Sequence, residues 1–161
     1  MADERIFTLD VSEKDYDEAT SPFIVIPPGP SGIEAEGDTI TLRVEAGMAD
    51  WKTQGVSLKV PLTVVEEGIN NGKVVDWYPG VGKTSMGITK QALQAFGIED
   101  KVIKRVKGKI AIAPSGFTGA EAVATFRREL SNKGNLRSVL DSSKFYPVGA
   151  VSTPDEAEEL L

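Results

Sequence analysis

The chain has 161 residues, 40% of them hydrophobic and 26% charged, with a formal net charge of −6, the size and make-up of one globular domain. It contains no cysteine and no histidine, which excludes disulfides, zinc ribbons, iron–sulfur sites, thiol nucleophiles, Ser-His-Asp and Cys-His catalysis, and histidine-bound metals. The charge is segregated: residues 1–80 carry 6 basic and 15 acidic side chains, residues 81–150 carry 12 and 5, and residues 151–161 carry no basic and 4 acidic, which reads as a basic face with acidic flanks and admits a nucleic-acid partner.

Residues 1–22 are polar and acidic, with Asp10, Glu13, Asp15, Asp17 and Glu18, and read as an arm or an exposed helix. Phe23–Ile26 is a short apolar run, expected as a strand, that stops at Pro27-Pro28-Gly29-Pro30. Residues 38–46 (DTITLRVEA) alternate, with Ile40, Leu42 and Val44 on the inner side. A loop over Gly47–Gly55 carries Trp51 and Lys52. Residues 56–65 (VSLKVPLTVV) form a second alternating strand, in which Pro61 implies an edge position or a bulge. Asn71-Gly72 is a hairpin signal, because both residue types tolerate positive φ. Its partner strand is KVVDWY, residues 73–78.

A glycine-rich loop over Pro79–Met86 precedes a helix expected at 87–96, with Ile88, Ala92, Ala95 and Phe96 on its inner face and Gly97 ending it. The basic stretch 101–107 is expected as a short helix. Residues 109–113 (KIAIA) form a strand that ends at Pro114-Ser115-Gly116, and 122–128 (AVATFRR) suits a strand or a helix equally. No run approaches the roughly 18 apolar residues of a membrane helix. The acidic Met1–Arg5 has no apolar h-region, so a cytoplasmic location is expected. The order strand, strand, strand, helix, strand, strand makes the expected fold mainly β with one or two helices, an OB-like five-stranded Greek-key barrel with acidic terminal extensions. A plain β-sandwich is the alternative. The expected organisation is an arm over 1–22, a domain over 23–150 and a tail over 151–161.

Three features bear on function. Gly80-Val81-Gly82-Lys83-Thr84 resembles the end of a phosphate-binding P-loop, placed between a strand and a helix. The pattern, however, needs glycine five residues before Gly82, where Trp77 stands. Lys83 and Thr84 are therefore better suited to a nucleic-acid backbone than to nucleotide hydrolysis, and a small nucleotide binder is the third reading. Second, Lys101, Lys104, Arg105, Lys107 and Lys109 fall within nine residues, and Arg127, Arg128, Lys133, Arg137 and Lys144 extend the set. Each cation that neutralises a phosphate releases counterions. Third, aromatics are interleaved with these charges. Trp51 and one of the adjacent pair Trp77 and Tyr78 are stacking candidates, since neighbouring strand residues face opposite sides, while Phe23, Phe96 and Phe126 are assigned to the core. The tail opens with Thr153-Pro154-Asp155-Glu156, a helix-start signature, and ends in Leu160-Leu161.

The text GDTITLRVEAG, VSLKVPLTVVEEG, NNGKVVDWYPGVG, QALQAFGI and KGKIAIAPSGF resembles, over about residues 23–130, the small OB-fold single-stranded DNA-binding proteins encoded by bacteriophages. The acidic tail is similar to those of many single-strand-binding proteins, although it ends in Leu160-Leu161 and has no terminal aromatic. The resemblance implies a non-enzymatic protein of DNA replication or recombination. Single-stranded DNA is the expected partner and the tail a docking site for replication or recombination proteins, with no membrane, cofactor, metal or catalytic residue involved. A homo-oligomer is compatible with this reading. The expected contact residues are Trp51, Lys52, Trp77, Tyr78, Lys83, Lys101, Lys104, Arg105, Lys107, Lys109, Arg127 and Arg128. A structural or virion interaction protein is the runner-up.

Overall fold

The alternating residues form strands whose apolar sides meet. In this computed structural model, which describes residues 6–18, 23–53 and 57–149, Thr39–Ala46 is β1, Asp50–Thr53 is β2, Ser57–Val64 is β3 and Val74–Trp77 is β4. After two helices and a small hairpin come β7 (Glu121–Leu130) and β8 (Leu136–Tyr146). Leu42, Val44, Ala46, Leu58, Val60, Leu62, Trp77, Ala124, Phe126 and Phe145 all point into one core, each large apolar side chain contributing about 1.5–3 kcal/mol.

All ladders of the main sheet are antiparallel, in the order β4, β3, β1 with β2, β7, β8. The segments β1 and β2 behave as one strand interrupted at residues 47–49. Ala46 faces Leu62 and Asp50 faces Lys59, so the interruption holds one residue more than the stretch of β3 opposite it. That bulge lies across from Pro61, whose carbonyl accepts the Gly47 N–H at 2.8 Å. A Cβ on Gly47 would come within 3.0 Å of the Pro61 ring, so glycine suits the close approach. Pro61 is thus inside the sheet, and the irregularity it demands sits in the neighbouring strand.

The expected five-stranded barrel is corrected: the main sheet has five strand lines, but its fifth is β8, a strand not expected from the sequence, in place of 109–113, and among the described residues no ladder joins β4 to β8 to close it. Side chains span that seam. Trp77 of β4 lies 4.9 Å from Phe145 of β8 between ring centroids, stacks on Phe96 at 5.6 Å, and meets Phe117 edge-on at 5.9 Å. Such pairs contribute about 0.5–1.5 kcal/mol each beyond their burial.

Phe96 is brought there by α2 (Met86–Phe96), which turns Thr89, Ala92, Leu93, Ala95 and Phe96 inward and ends at Gly97 with φ 72. There Ile98 N–H bonds the Leu93 carbonyl at 3.0 Å and Gly97 N–H the Gln94 carbonyl at 3.0 Å, a Schellman closure. Ile88, expected inside, is exposed. The inner stripe runs through Thr89 and Leu93 instead. Among the described residues no helix is long and apolar enough to cross a membrane.

Other expectations are corrected by contacts distant in sequence. Phe23–Ile26 is not a strand but an extended strap. Ile24 and Ile26 are buried while Phe23 is exposed and not in the core. The Asn70 side-chain amide accepts from Val25 N–H at 2.7 Å and donates to its carbonyl at 2.9 Å, so one side chain does what a neighbouring strand would do. The β3–β4 hairpin forms, with a turn longer than two residues in which Gly68 and Gly72, but not Asn71, adopt positive φ. Only Glu99–Val102 (α3) of the basic region is helical. Ile103–Val106 (β5) and Lys109–Ile112 (β6) pair into a ribbon of their own, so KIAIA is not a strand of the main sheet. The stretch 122–128 lies in β7. The short helix α1 (Glu13–Glu18) begins at Ser12, whose hydroxyl accepts the Asp15 N–H at 3.0 Å. Residues 150–161 lie outside the described residues.

Candidate nucleic-acid interface

The ribbon is built on a two-residue turn. Val106 pairs with Lys109, and Lys107 and Gly108 between them have φ of 52 and 77. Positive φ at both central positions is the type I′ hairpin turn. Lys107 is the one non-glycine residue with positive φ among those described. A residue with a Cβ in that region costs about 1–3 kcal/mol, and such strain is tolerated mostly at functional positions.

Cross-strand register sorts the ribbon's side chains. Ile103 pairs with Ile112 and Arg105 with Ile110, so these four share one face. Lys104 pairs with Ala111 and Val106 with Lys109, and these share the other. The first face leans over the domain. There a cleft of about 530 Å³ is lined by Trp51, Val81, Gly82, Lys83, Met86, Ile110 and Ile112. A second hollow of about 260 Å³ lies across Met86 and Ile110 and includes Lys90, Glu99, Asp100, Ile103 and Arg105.

Trp51 reaches the cleft because of the bulge at residues 47–49. In β1 the even-numbered residues face inward. The extra residue reverses that parity, so Trp51 sits on the same side as its partner Leu58, packed partly on the core and partly open. Lys83 is presented by the loop between β4 and α2. Ser85 Oγ accepts from Gly82 N–H and donates to its carbonyl, both at 3.2 Å, and Thr89 Oγ1 donates to the Gly80 carbonyl at 2.6 Å. A Cβ on Gly80 would lie 2.3 Å from Ser85 Oγ and 2.4 Å from its Cβ, so only glycine fits. The loop follows an antiparallel strand, and buried Trp77 occupies the P-loop's glycine position.

The cations divide into two classes. Among the described residues, Lys83, Lys90, Lys101, Lys104, Arg105, Lys107 and Lys109 have no carboxylate within 4.0 Å. Lys104 Nζ donates to the Asp100 carbonyl at 3.1 Å, and Lys101 is exposed on α3. The second basic set is ion-paired except for Lys133, which has no carboxylate within 4.0 Å among the described residues. Arg127 pairs with Glu129 at 3.3 Å and Asp141 at 3.6 Å, Arg137 with Glu129 at 3.7 Å, and Lys144 with Asp141 at 4.0 Å. Burial raises the Asp141 carboxyl pKa, but hydrogen bonds from the Ser143 hydroxyl and amide, with the charges of Arg127 and Lys144, outweigh it and hold the group below its ordinary value.

Several expected contact residues are corrected. Arg128 is buried at 6% exposure, with its guanidinium held by Asp38 and the Ile26 carbonyl and with Glu34 at 3.9 Å. It ties the strap and the start of β1 to β7, away from the cleft, and lines a separate hollow with Phe23, Glu34 and Arg137. Trp77 is core at 2% exposure. Its Nε1 has no hydrogen-bond partner among the described residues. Tyr78, on the opposite side of the strand, is half exposed but lines a separate hollow with Pro79, Ile88 and Ser142. Phe117 and Phe145 are also core, and the Lys52 side chain lies outside the described residues. The site thus gathers Trp51, Lys83 and Arg105, and adds Met86, Lys90, Ile110 and Ile112, which sequence reasoning missed. The signal for Met86 and Lys90 was their spacing of four on one helix face. Compared with protein-family models, with curated proteins and with solved structures, the chain matches none.

Proposed function

We propose that this chain is a non-enzymatic single-stranded DNA-binding protein on an OB-type barrel, serving phage-type replication or recombination in the cytoplasm. The fold part is supported by the strand order. Counting β1 with β2 as one line, the order is third, second, first, fourth, fifth, with α2 and α3 between third and fourth, as in OB folds. The observation that carries the function is the cleft under the ribbon: a half-open Trp51 beside apolar walls, flanked by Lys83 and, across Met86 and Ile110, by Arg105, neither held by a carboxylate. Aromatic stacking with an adjoining cationic track is what a single strand requires, at about 1–3 kcal/mol per stacked base.

The test is fluorescence anisotropy of labelled oligo(dT) titrated with protein at several salt concentrations. Binding weakens linearly in log–log form, with a slope of about 0.7 per phosphate contacted. Trp51→Ala reduces affinity by about 5- to 150-fold, the stacking energy converted to a ratio. Absence of an anisotropy change at 20 mM salt and micromolar protein overturns the reading.

A further inference from the structure

The five charges from Lys101 to Lys109 fall within nine residues but do not form one patch. Arg105 shares one face with Ile103, Ile110 and Ile112 and lines the second hollow beside the cleft, whereas Lys104 and Lys109 share the opposite face with Val106 and Ala111, and Lys107 stands at the tip. The outer face is exposed at every position and carries cations without an aromatic. We propose that it is a second nucleic-acid site, holding the phosphate backbone of a duplex while the inner face holds a single strand, so that the chain sits where paired and unpaired DNA meet. The inner-site half of this rests on the single-strand reading above.

Four observations favour a duplex for the outer face. A single strand needs stacking platforms for its bases, and a face of Lys104, Val106, Lys109 and Ala111 offers none; the backbone of a duplex, with its bases already stacked, asks only for cations. The lysines of this face and tip have no carboxylate within 4.0 Å among the described residues, so their charge is available. The turn places a lysine, not the asparagine or glycine that relaxes a type I′ turn, in left-handed conformation at the tip. A cation stands there against backbone preference. The ribbon stands off the main sheet as a separate two-stranded unit, and a two-stranded ribbon is an element that the major groove of B-form DNA admits.

The experiment uses the full chain at 0.15 M salt, where exposed charges are screened beyond about 8 Å, with two labelled probes: oligo(dT) and a blunt duplex. The double variant Lys104→Ala/Lys109→Ala is expected to lose at least ten-fold in duplex affinity while its oligo(dT) Kd stays within two-fold. The salt slope for the duplex drops by about 1.8, at about 0.9 per contact. The double variant Lys83→Ala/Arg105→Ala does the reverse, and Lys104→Arg/Lys109→Arg restores duplex binding. Protein saturated with unlabelled oligo(dT) still binds the duplex. Parallel loss of both probes in the outer-face variant, no loss of either, or displacement of duplex by oligo(dT) overturns the second site. A parent that binds oligo(dT) but no duplex sinks this inference alone. A parent that binds duplex through Lys104 and Lys109 but ignores oligo(dT) sinks the single-strand reading and leaves the outer face standing.

Discussion

Replacing Arg128 with alanine separates a scaffold residue from a ligand contact. The side chain is 7% exposed and its partner Asp38 15%. Its guanidinium bridges that carboxylate and the Ile26 carbonyl, holding the strap over the end of the sheet. Removing one member of a buried pair leaves the other charge desolvated and alone, at a cost of about 3–5 kcal/mol. The residual exposure of Asp38 lets water return, which puts the value near the lower bound, about 3 kcal/mol. At about 2–4 °C per kcal/mol for a chain of this length, the melting temperature falls by about 6–12 °C. Arg127 is the internal control. It is adjacent in sequence, 44% exposed, and paired at 3.3 and 3.6 Å. Its alanine variant costs less than about 1 kcal/mol. Arg128→Lys keeps the charge without the planar fork and falls between parent and alanine. Thermal melts and urea titrations measure the stability, and anisotropy with oligo(dT) measures the binding. An Arg128→Ala protein that melts within 2 °C of the parent while its oligo(dT) Kd rises ten-fold would refute the scaffold assignment.

Three further outcomes follow from the same geometry. With only two tryptophans in the chain, Trp77→Phe retains the emission change on oligo(dT) binding and Trp51→Phe abolishes it; a change that survives in Trp51→Phe places the stacked base elsewhere. Because the folded pKa of Asp141 lies below its ordinary value, it contributes stability above the unfolded pKa of about 3.9, and that contribution is lost as pH falls through the lower folded value. The melting-temperature gap between parent and Asp141→Asn therefore narrows below about pH 4, and a gap independent of pH contradicts the ion-pair account. Deleting residues 152–161, which carry four acidic side chains and no basic one, raises oligo(dT) affinity at low ionic strength and less so at high; a lower melting temperature with unchanged affinity rules out competition by the tail.

Local periodicity made much of the sheet legible. Strands β1 and β3 show unbroken alternation, and Gly97 marks the end of α2, because burial of one face leaves a period that short windows detect. What stayed hidden depends on partners far away along the chain. Arg128 looked like one more basic residue, since the Asp38 that buries it is 90 positions distant. Residues 23–26 looked like a strand because the backbone is extended, but their partner is an Asn70 side chain 45 positions on. Pro61 signalled an irregularity without saying which strand would carry it, and so did not reveal that Trp51 turns inward. In the basic run, charge density was evident and its division into two faces was not. Lys107-Gly108 is not the Asn-Gly text that announces a tight turn, and without the turn there is no register to assign faces.

The ribbon's two-residue turn also sets a rule for how the segment is able to diverge. Lengthening the ribbon by one residue in each arm next to the turn adds a cross-strand pair, extends its reach by about 3.4 Å, and leaves each existing paired side chain on its own face. An unmatched insertion in one arm slides the register by one, and that arm's residues trade faces: Lys104 would come to lie over the cleft, or Ile112 would turn to solvent. Related chains that keep this turn and both faces therefore differ in ribbon length by even numbers, and an odd difference marks a bulge or a changed surface.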